Sequence, residues 1–462
     1  MAAIERTAGE SLYLAEAKVY PREVQGRFAR LRTLSVWVLL GIFYLLPWLQ
    51  WHGRQAVLFD LPARKFFIVG LVFWPQDFIF LTWLLIIAAL ALFFFTAIGG
   101  RLWCGYACPQ TVWTETFLWM ERFVEGDRAA RVKLDKAPWS ARKLGRKSLK
   151  QLLWITFALW TGFTFVGFFT PIRLLAGEVL ALAPGPWETF WILFYGFATY
   201  GNAGYLREQV CKYMCPYARF QGAMFDRDTL VITYDEQRGE TRGSRKRGTD
   251  ARLVGLGDCI DCTMCVQVCP TGIDIRQGLQ IECIACAACV DACDEVMDKV
   301  DQPRGLIRYT SETRDAGGRT HWLRPRTLAY GAIWLALCGG FVAAVLLRNP
   351  LQFDVIRDRH SLFRQLPDGA IENVYLLKVA NPDDRAHAFE LDVTAPGGAE
   401  LDVEPDEFQL AAGEARAITV AVRTDRDARL GAVTALRFAL HAEDAPGLMR
   451  TRTASFLAAG AP

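Results

Sequence analysis

The sequence predicts a polytopic α-helical membrane protein with two soluble parts, one dense in cysteine and one a small β-sandwich. Five apolar stretches of about membrane-spanning length, a cysteine-rich segment after the fourth, and a cysteine-free tail of short alternating runs support this fold class. At 462 residues the chain is too long for one ordinary domain. Its 52% hydrophobic residues and mean hydropathy of +0.16 are typical of a membrane protein with soluble parts. The net charge of +3 gives no indication of nucleic-acid binding.

The apolar stretches define the domain plan. A helix needs about 20 apolar residues to cross a hydrocarbon core. The stretches that approach or meet this length are 34–51, 78–98, 152–169, 189–206 and 327–347. The fourth is the weakest, because glycines dilute it. We expect an N-terminal segment (1–33, without a signal-peptide pattern), four spans within 34–206, a soluble segment (207–326), a fifth span (327–347) and a soluble tail (348–462).

The short loops predict the orientation. The loop between the second and third spans is densely basic, with Arg128, Arg131 and Lys150 among its cations, whereas the loops after the first and third spans have few. Because Lys and Arg accumulate on the cytoplasmic side, we expect the N-terminus and the segment 207–326 in the cytoplasm of a bacterium. The tail is then periplasmic, and the protein a multi-pass protein of the inner membrane. The basic run 238–252 is expected to be a cytoplasmic loop, since it lacks the aromatic residues of a nucleic-acid site.

The strongest motif is a doubled cysteine pattern in the soluble segment. Each half has the spacing C-x2-C-x2-C-x3-C, which in two-cluster ferredoxins binds two [4Fe–4S] clusters, with the fourth cysteine of each half completing the other cluster. This predicts one cluster on Cys259, Cys262, Cys265 and Cys293 and a second on Cys283, Cys286, Cys289 and Cys269. Proline follows Cys269, but Asp294 follows Cys293 and removes no ligand. Two zinc sites are the alternative, which the doubled spacing disfavours.

A second motif, C-x3-C-P, occurs twice, each time after a pair of spans. Its cysteines are Cys104 with Cys108 and Cys211 with Cys215. Residues four apart share a helix face, so each pair is predicted to present two sulfurs to one site at the cytoplasmic ends of the spans. Thiolates suit a soft ion, above all Cu(I), although zinc or another iron–sulfur centre would also fit, as would simple packing of helix ends. Cys338, alone in the last span, is expected to be a packing residue.

Other cofactors are disfavoured by what the sequence lacks. None of the five histidines lies in the middle of a span, which excludes a bis-histidine haem within the bilayer. There is no C-x-x-C-H for covalent haem and no G-x-G-x-x-G after a strand. Electrons are therefore expected to move through clusters and thiolate-bound metal.

The tail, about 354–458, alternates as strands do. Its runs 374–379, 388–393, 417–422 and 435–440 are separated by turn-forming residues such as Pro396, Gly397 and Gly413. This predicts a β-sandwich of roughly seven strands, with docking or assembly as its expected role.

Taken together, these motifs resemble a known family across nearly the whole chain. Repeated C-x3-C-P after paired spans and a two-cluster ferredoxin motif resemble the NapH-like membrane ferredoxins. The last span and the outer sandwich resemble more closely the FixG/CcoG family, accessory proteins of cbb3-type cytochrome c oxidase with an immunoglobulin-like C-terminal domain. The strings VLFDLPARKF (57–66), FWPQD (73–77) and CDEVM (293–297) are also similar to that family.

The resemblance implies a cupric reductase that converts Cu(II) to Cu(I) for the oxidase's copper site. Its site would be Cys104, Cys108, Cys211 and Cys215, with electrons supplied through the eight ferredoxin cysteines. Implied partners are membrane lipid, a cytoplasmic electron donor, and copper chaperones or oxidase assembly factors. Two alternatives stay open: a NapH-type quinol dehydrogenase that serves a periplasmic acceptor, and a non-redox scaffold with structural clusters.

Overall fold

The computed structural model divides into two compact units, one up to Phe341 and one from Val342 onward. The structure describes residues 18–245, 253, 255–349, 351–358, 361–367, 369–381, 383, 385–424 and 431–458. Residues 1–17 of the predicted N-terminal segment and 246–252 of the basic run lie outside these ranges.

Helices dominate the first unit. They are α1 (Arg27–Leu45), α2 (Phe78–Gly99), α3 (Leu102–Tyr106), α4 (Pro109–Glu125), α5 (Arg128–Lys136), α6 (Ala141–Val166), α7 (Ile172–Leu180), α8 (Pro186–Thr199), α9 (Pro216–Ala223), α10 (Glu236–Gly239), α11 (Met264–Gln267), α12 (Ala288–Lys299), α13 (Glu312–Asp315) and α14 (Pro325–Leu346). Short 3₁₀ turns occur at Leu46–Trp48, Pro75–Asp77 and Ile275–Gln277.

Four helices among the described residues are long and apolar enough to cross a membrane, namely Arg27–Trp48, Pro75–Gly99, Ala141–Val166 and Pro325–Leu346. They coincide with four of the five predicted spans. The remaining prediction, 189–206, falls on α8 and a π-helical continuation, Tyr200–Leu206, so no single α-helix covers it. Most side chains of the second and fourth helices are exposed or half-buried within the protein, as expected for side chains in contact with lipid.

Helices α6 and α8 pack at close range through small residues. A Cβ on Gly162 would overlap the Ile192 carbonyl oxygen and lie 2.9 Å from the Gly196 amide nitrogen. In a membrane, where lipid tails are as apolar as side chains, such small residues allow backbones to approach and gain van der Waals contact. Gly196, which weakens the fourth span as a hydrophobic segment, therefore belongs to a helix–helix contact.

Five short strands follow α1, and two more frame the cysteine-rich segment. The first five are β1 (Gln50–Trp51), β2 (Arg54–Gln55), β3 (Val57–Asp60), β4 (Lys65–Ile68) and β5 (Leu71–Phe73). Strand β6 (Val231–Tyr234) pairs antiparallel with β7 (Ile307–Thr310), which brings the two ends of the segment together. Leu230 also bonds to the Ile98 carbonyl at the end of α2, so the segment is anchored directly to a span.

The second unit is a β-sandwich. Its described strands are β8 (Gln352–Arg357), β9 (Arg364–Gln365), β10 (Ile371–Ala380), β11 (His387–Thr394), β12 (Leu401–Glu404), β13 (Glu407–Leu410), β14 (Ala415–Thr424), β15 (Val433–Ala442) and β16 (Ala445–Leu457). One sheet has the order β12-β14-β10-β8, with β9 on β10, and the other β13-β11-β15-β16. All four predicted runs lie within strands. Fully buried aromatic residues such as Tyr375, Phe389 and Phe438 fill the core between the sheets.

Candidate metal centres

The two ferredoxin half-motifs fold into the same loop. Asp261 and Thr263 flank the second cysteine of the first half with positive φ, and Ala285 and Ala287 do so in the second half. Left-handed backbone is costly for residues other than glycine and persists where the surroundings require it. Alternation of left- and right-handed residues turns successive amide groups toward one point, a geometry known from iron–sulfur sites. Helices α11 and α12 begin directly after these loops, with the third cysteine of each half in their first turn.

Each predicted cysteine set surrounds its own cavity. Cys259, Cys262, Cys265 and Cys293 line one small cavity, closed by apolar side chains such as Met297. Cys269, Cys283, Cys286 and Cys289 line a second, together with Cys265. We call these the first and the second quartet. Donor chemistry, loop geometry and cavity all fit a four-iron cluster, with the crossed fourth cysteine that the spacing predicts.

Single-ion sites fit less well. Among the described residues, no three His, Cys, Asp or Glu side chains lie close enough together to hold one metal ion. A zinc site needs four ligands around one ion, whereas a cubane of four irons keeps its thiolates further apart. The arrangement therefore favours clusters over the zinc alternative at both quartets.

The structure corrects the predicted local geometry of the C-x3-C-P pairs. Cys104 lies in α3 and Cys211 in a π-helical turn, Val210–Met214, but Cys108 and Cys215 lie outside those helices with extended backbone. The prediction that each pair shares one helix face is wrong. Proline restricts the residue before it to extended conformations and starts the next helix, so the second cysteine becomes the N-cap of α4 or α9.

The two pairs nevertheless converge. Burial and, to a smaller extent, the nearby Cys108 and Cys104 thiols raise the pKa of the Cys211 thiol to about 12. Burial also raises the pKa of Cys104, against the opposing effect of the Arg101 guanidinium, with Cys108 and Cys215 close by. The repeat thus brings four thiols into one electrostatic neighbourhood, which we call the thiol site.

Polar side chains from neighbouring helices hold Cys104 in the thiol site. The Cys104 thiol donates to Gln221 Oε1 at 3.0 Å, and Gln221 Nε2 donates to Thr96 Oγ1 at 3.4 Å. Thr111 donates to the Cys104 carbonyl at 2.5 Å. Gln221 is almost fully buried, so its amide is a built part of the site. Cys338 lies in α14 and is half-buried.

Direct packing joins the thiol site to the second quartet. A Cβ on Gly105 would lie 2.8 Å from the Ile284 carbonyl oxygen and 2.9 Å from both the Ala285 carbonyl oxygen and the Cys286 Cα. Only glycine allows α3 to approach this loop so closely. Cys104, Cys211, Cys286 and Cys289 consequently share one apolar cluster.

The start of α1 is attached to the same region. Asp291, between the third and fourth cysteines of the second half-motif, accepts hydrogen bonds from the Phe28 and Ala29 amides at 3.1 and 2.6 Å. Arg32, one turn further, donates to the Cys286 carbonyl at 2.5 Å. A carboxylate at a helix N-terminus satisfies free amides and the helix dipole. Here it comes from a different element, so the first span is positioned by the cysteine-rich segment.

An opening of about 130 Å³ lies beside both centres. Its lining includes Cys211 from the thiol site, Cys286 from the second quartet, and the polar side chains of Arg32, Thr114 and Glu115. The opening is thus lined by one cysteine of each centre.

Sequence reasoning missed a buried ion network on α4. Glu121, fully buried, contacts Arg207 at 2.9 Å, Arg131 at 3.2 Å and Lys150 at 3.7 Å. Glu125, one turn later, contacts Lys150 at 3.1 Å. Arg131 and Lys150 belong to the basic loop that predicted orientation, so these cations also have structural partners. The sequence offered no local signal for these pairs, because α4 carries polar residues throughout and the cations lie on later elements.

Family models match three regions of the chain. The immunoglobulin-like fold at the C-terminus of FixG matches residues 341–459, a 4Fe–4S dicluster domain matches 206–312, and a 4Fe–4S binding domain matches 81–147. The nitrogen fixation protein FixG of Rhizobium meliloti is 38% identical over 452 residues, which are 90% of this chain and 86% of that protein. The chain belongs to the FixG family. RdxB of Cereibacter sphaeroides is similar to this FixG-family chain as well, at 42% identity over 86% of each chain.

The family assignment confirms the predicted resemblance to FixG proteins and the immunoglobulin-like nature of the second unit. It also confirms an iron–sulfur protein of the membrane that takes part in electron transfer. A crystal structure of a FixG-related protein from Vibrio parahaemolyticus matches 24% of this chain and 97% of its own, with 26% identity and a TM-score of 0.21.

Proposed function

We propose that this protein reduces Cu(II) to Cu(I) at the thiol site, for assembly of a cbb3-type cytochrome c oxidase. The observation that supports the proposal best is the contact between the thiol site and the second quartet through Gly105. It sets an electron source beside a group of soft ligands, the combination that one-electron reduction of copper requires.

The ligand chemistry favours copper as the substrate. Thiolates prefer Cu(I) to Cu(II), so they raise the effective potential of the bound couple and make its reduction downhill from a low-potential donor. When bound, the two [4Fe–4S] clusters supply electrons one at a time. Among the residues that the structure describes, no three thiols are close enough to hold one ion, so a pair of them is the set that fits a Cu(I) ion in this arrangement.

The residues around the thiol site have separate roles in this proposal. A pair of thiols from the thiol site (Cys104, Cys108, Cys211 and Cys215) binds the copper ion. Gln221 orients the Cys104 thiol, and the opening beside Cys211 and Cys286 admits the ion. The eight cysteines of the two quartets would hold the two clusters.

The setting of the reaction is part of the proposal. The N-terminus, the quartets and the thiol site face the cytoplasm of a bacterial inner membrane, and the immunoglobulin-like unit faces the periplasm. A cytoplasmic donor supplies electrons, and copper chaperones or oxidase assembly factors dock on the periplasmic unit. The density of basic residues in the loop 122–150 supports this orientation.

The test is anaerobic Cu(II) reduction by the purified full-length protein with its clusters reduced beforehand. A chromogenic chelator traps Cu(I) while bleaching of the clusters is followed. The variants are Cys104→Ala/Cys108→Ala and Cys211→Ala/Cys215→Ala, with Cys338→Ala as the matched control.

We expect Cu(I) to form in step with cluster oxidation in the parent and in Cys338→Ala, and to fail in both double variants. If Cu(II) oxidises the clusters equally well in the double variants, the C-x3-C-P thiols are not the copper site. If Cu(II) leaves the clusters reduced and a quinone reoxidises them, the quinol dehydrogenase alternative replaces the proposal. If neither reacts, a scaffold role replaces it.

A further inference from the structure

The cations at the start of α6 divide into an inner and an outer set. The inner set is Lys143, Lys147 and Lys150, which recur at the spacing of one helix face and are buried or half-buried. Lys147 and Lys150 pair with Glu125 at 2.9 and 3.1 Å. Lys143 donates to the Asp135 carbonyl at 2.9 Å, at the end of α5. The inner cations are therefore satisfied by the protein itself.

The outer set is Arg142 and Arg146, one turn apart on a neighbouring face. Arg142 is exposed and Arg146 is half-buried. Neither guanidinium group has an acidic partner within the described part of the chain. The first turn of α6 also contains no acidic residue, so the positive end of its helix dipole is not balanced by a side chain. The outer face at this end of the helix therefore carries positive charge that no anion of the protein neutralises.

The length of α6 sets this charge at the edge of the membrane. The helix Ala141–Val166 has 26 residues, and about 20 residues cross a hydrocarbon core. Counted back from the end of the helix, the core is crossed by 147–166, so Arg142 and Arg146 lie just outside it, at the level of the lipid phosphates. Trp139 directly precedes the helix and is 75% exposed, which is typical of tryptophan at a membrane surface.

An apolar stripe on α6 begins beside the two arginines. Leu144, Leu152 and Ile155 follow one another on one helix face, and all three are exposed. Leucine and isoleucine on the outer face of a spanning helix contact acyl chains. Arginine stems can lie along such apolar surface while their charged ends stay in the polar layer. The start of α6 thus presents a surface for acyl chains next to a surface for an anion.

We propose that Arg142 and Arg146, together with the N-terminus of α6, bind the phosphate of an anionic phospholipid. The planar guanidinium group matches the oxygens of a phosphate. Basic residues at the membrane surface favour lipids with a net negative head group, whereas the ammonium group of a zwitterionic lipid offsets its phosphate. The adjoining apolar stripe favours a lipid over a free phosphate ion. This inference is independent of the proposed copper chemistry and takes from the proposed orientation only the name of the leaflet, which is cytoplasmic.

The experiment is native mass spectrometry of the full-length protein in detergent, titrated with phosphatidylglycerol or with phosphatidylcholine of the same chains. We expect the parent to bind phosphatidylglycerol more tightly. In Arg142→Gln/Arg146→Gln its dissociation constant should rise by roughly fivefold for each arginine, about 25-fold in all, with binding of phosphatidylcholine unchanged. Arg142→Lys/Arg146→Lys keeps the charge and should retain most of the preference.

The matched control is Arg227→Gln/Arg304→Gln. These two exposed arginines have acidic partners, Glu312 and Asp298, so their removal should leave the binding of both lipids unchanged. Iron content and the unfolding temperature without added lipid verify that each variant is folded.

Two results would overturn the proposal outright. One is equal affinity of the parent for the two lipids, and the other is an unchanged affinity for phosphatidylglycerol in a folded Arg142→Gln/Arg146→Gln variant. A third arm adds inorganic phosphate as a competitor, which should not displace the lipid at equal concentration. Displacement at that concentration would identify a site for free anions and would refute the lipid assignment. Failure of copper reduction in the parent would leave these lipid affinities as they are.

Discussion

Adding one methyl group at Gly105 should remove the second cluster. Gly105 lies within a helix, where alanine is ordinarily favoured over glycine by about 0.5–1 kcal/mol. Here its Cβ would lie 2.8 Å from one carbonyl oxygen and 2.9 Å from another and from the Cys286 Cα. All three are backbone atoms, so no side-chain rotation relieves the overlap. Overpacking of this kind costs about 1–3 kcal/mol, which exceeds the gain in helix propensity.

The strain falls on the loop that holds Cys283 and Cys286. We expect Gly105→Ala to retain the first cluster and to lose the second. The iron content per chain would then fall to about half of the parent value. Iron and acid-labile sulfide analysis measures occupancy, and thermal unfolding in detergent measures stability.

Gly145→Ala is the matched control. Gly145 lies in α6 with open space around its Cβ position, so the same substitution should gain about 0.5–1 kcal/mol and keep all iron. The reasoning is refuted if Gly105→Ala binds full iron and unfolds no earlier than Gly145→Ala.

Three further substitutions test other parts of the structure. Glu121→Gln leaves buried cations unpaired and should destabilise the protein by about 3–5 kcal/mol. The matched control is Glu115→Gln, which removes a partly exposed ion pair and should cost less than about 1 kcal/mol. Equal unfolding temperatures of the two variants would contradict this expectation. Gly162→Ala should force α6 and α8 apart at a cost of about 1–3 kcal/mol, measured as a lower unfolding temperature in detergent. Gly177→Ala, where the added Cβ meets open space, should not lower the unfolding temperature. An unchanged unfolding temperature in Gly162→Ala would contradict the packing argument. Burial lowers the pKa of His387, but hydrogen bonds to two aspartates outweigh burial and raise it above the usual 6.5. The contribution of His387 to stability is therefore complete below about pH 6.5 and is lost as the pH rises through its raised pKa. Amide hydrogen exchange in β11, corrected for intrinsic rates, should become faster at alkaline pH in the parent protein. The exchange rate in His387→Gln should not show this increase.

Local patterns predicted most of the fold. Length and hydropathy identified the four long apolar helices, and alternation identified strands β10, β11, β14 and β15, because each pattern is complete within one element. The cysteine spacing predicted both quartets for the same reason. The assignment of individual ligands to clusters stays a prediction, supported by the two cavities that the quartets line.

Features that depend on distant residues were not predictable in this way. Glu121 meets Arg131, Lys150 and Arg207 only after four helices have packed, and nothing in their spacing indicates these pairs. The geometry at Cys108 and Cys215 was in principle readable, since the proline after each of them disfavours a helical conformation. Convergence of the two C-x3-C-P pairs followed from the repeat, but the contact through Gly105 did not, because it requires the position of a loop far along the chain.

The Asp291 carboxylate under α1 has a consequence for biosynthesis. The first span leaves the ribosome long before the residue that fixes its N-terminus, which lies 263 positions later in the chain. Until the cysteine-rich segment has been made and has folded, the first amides of this helix lack the hydrogen-bond acceptor that Asp291 provides. Docking of the first helix is therefore a late event in biosynthesis, because it requires a carboxylate from a part of the chain that is made late in the first unit.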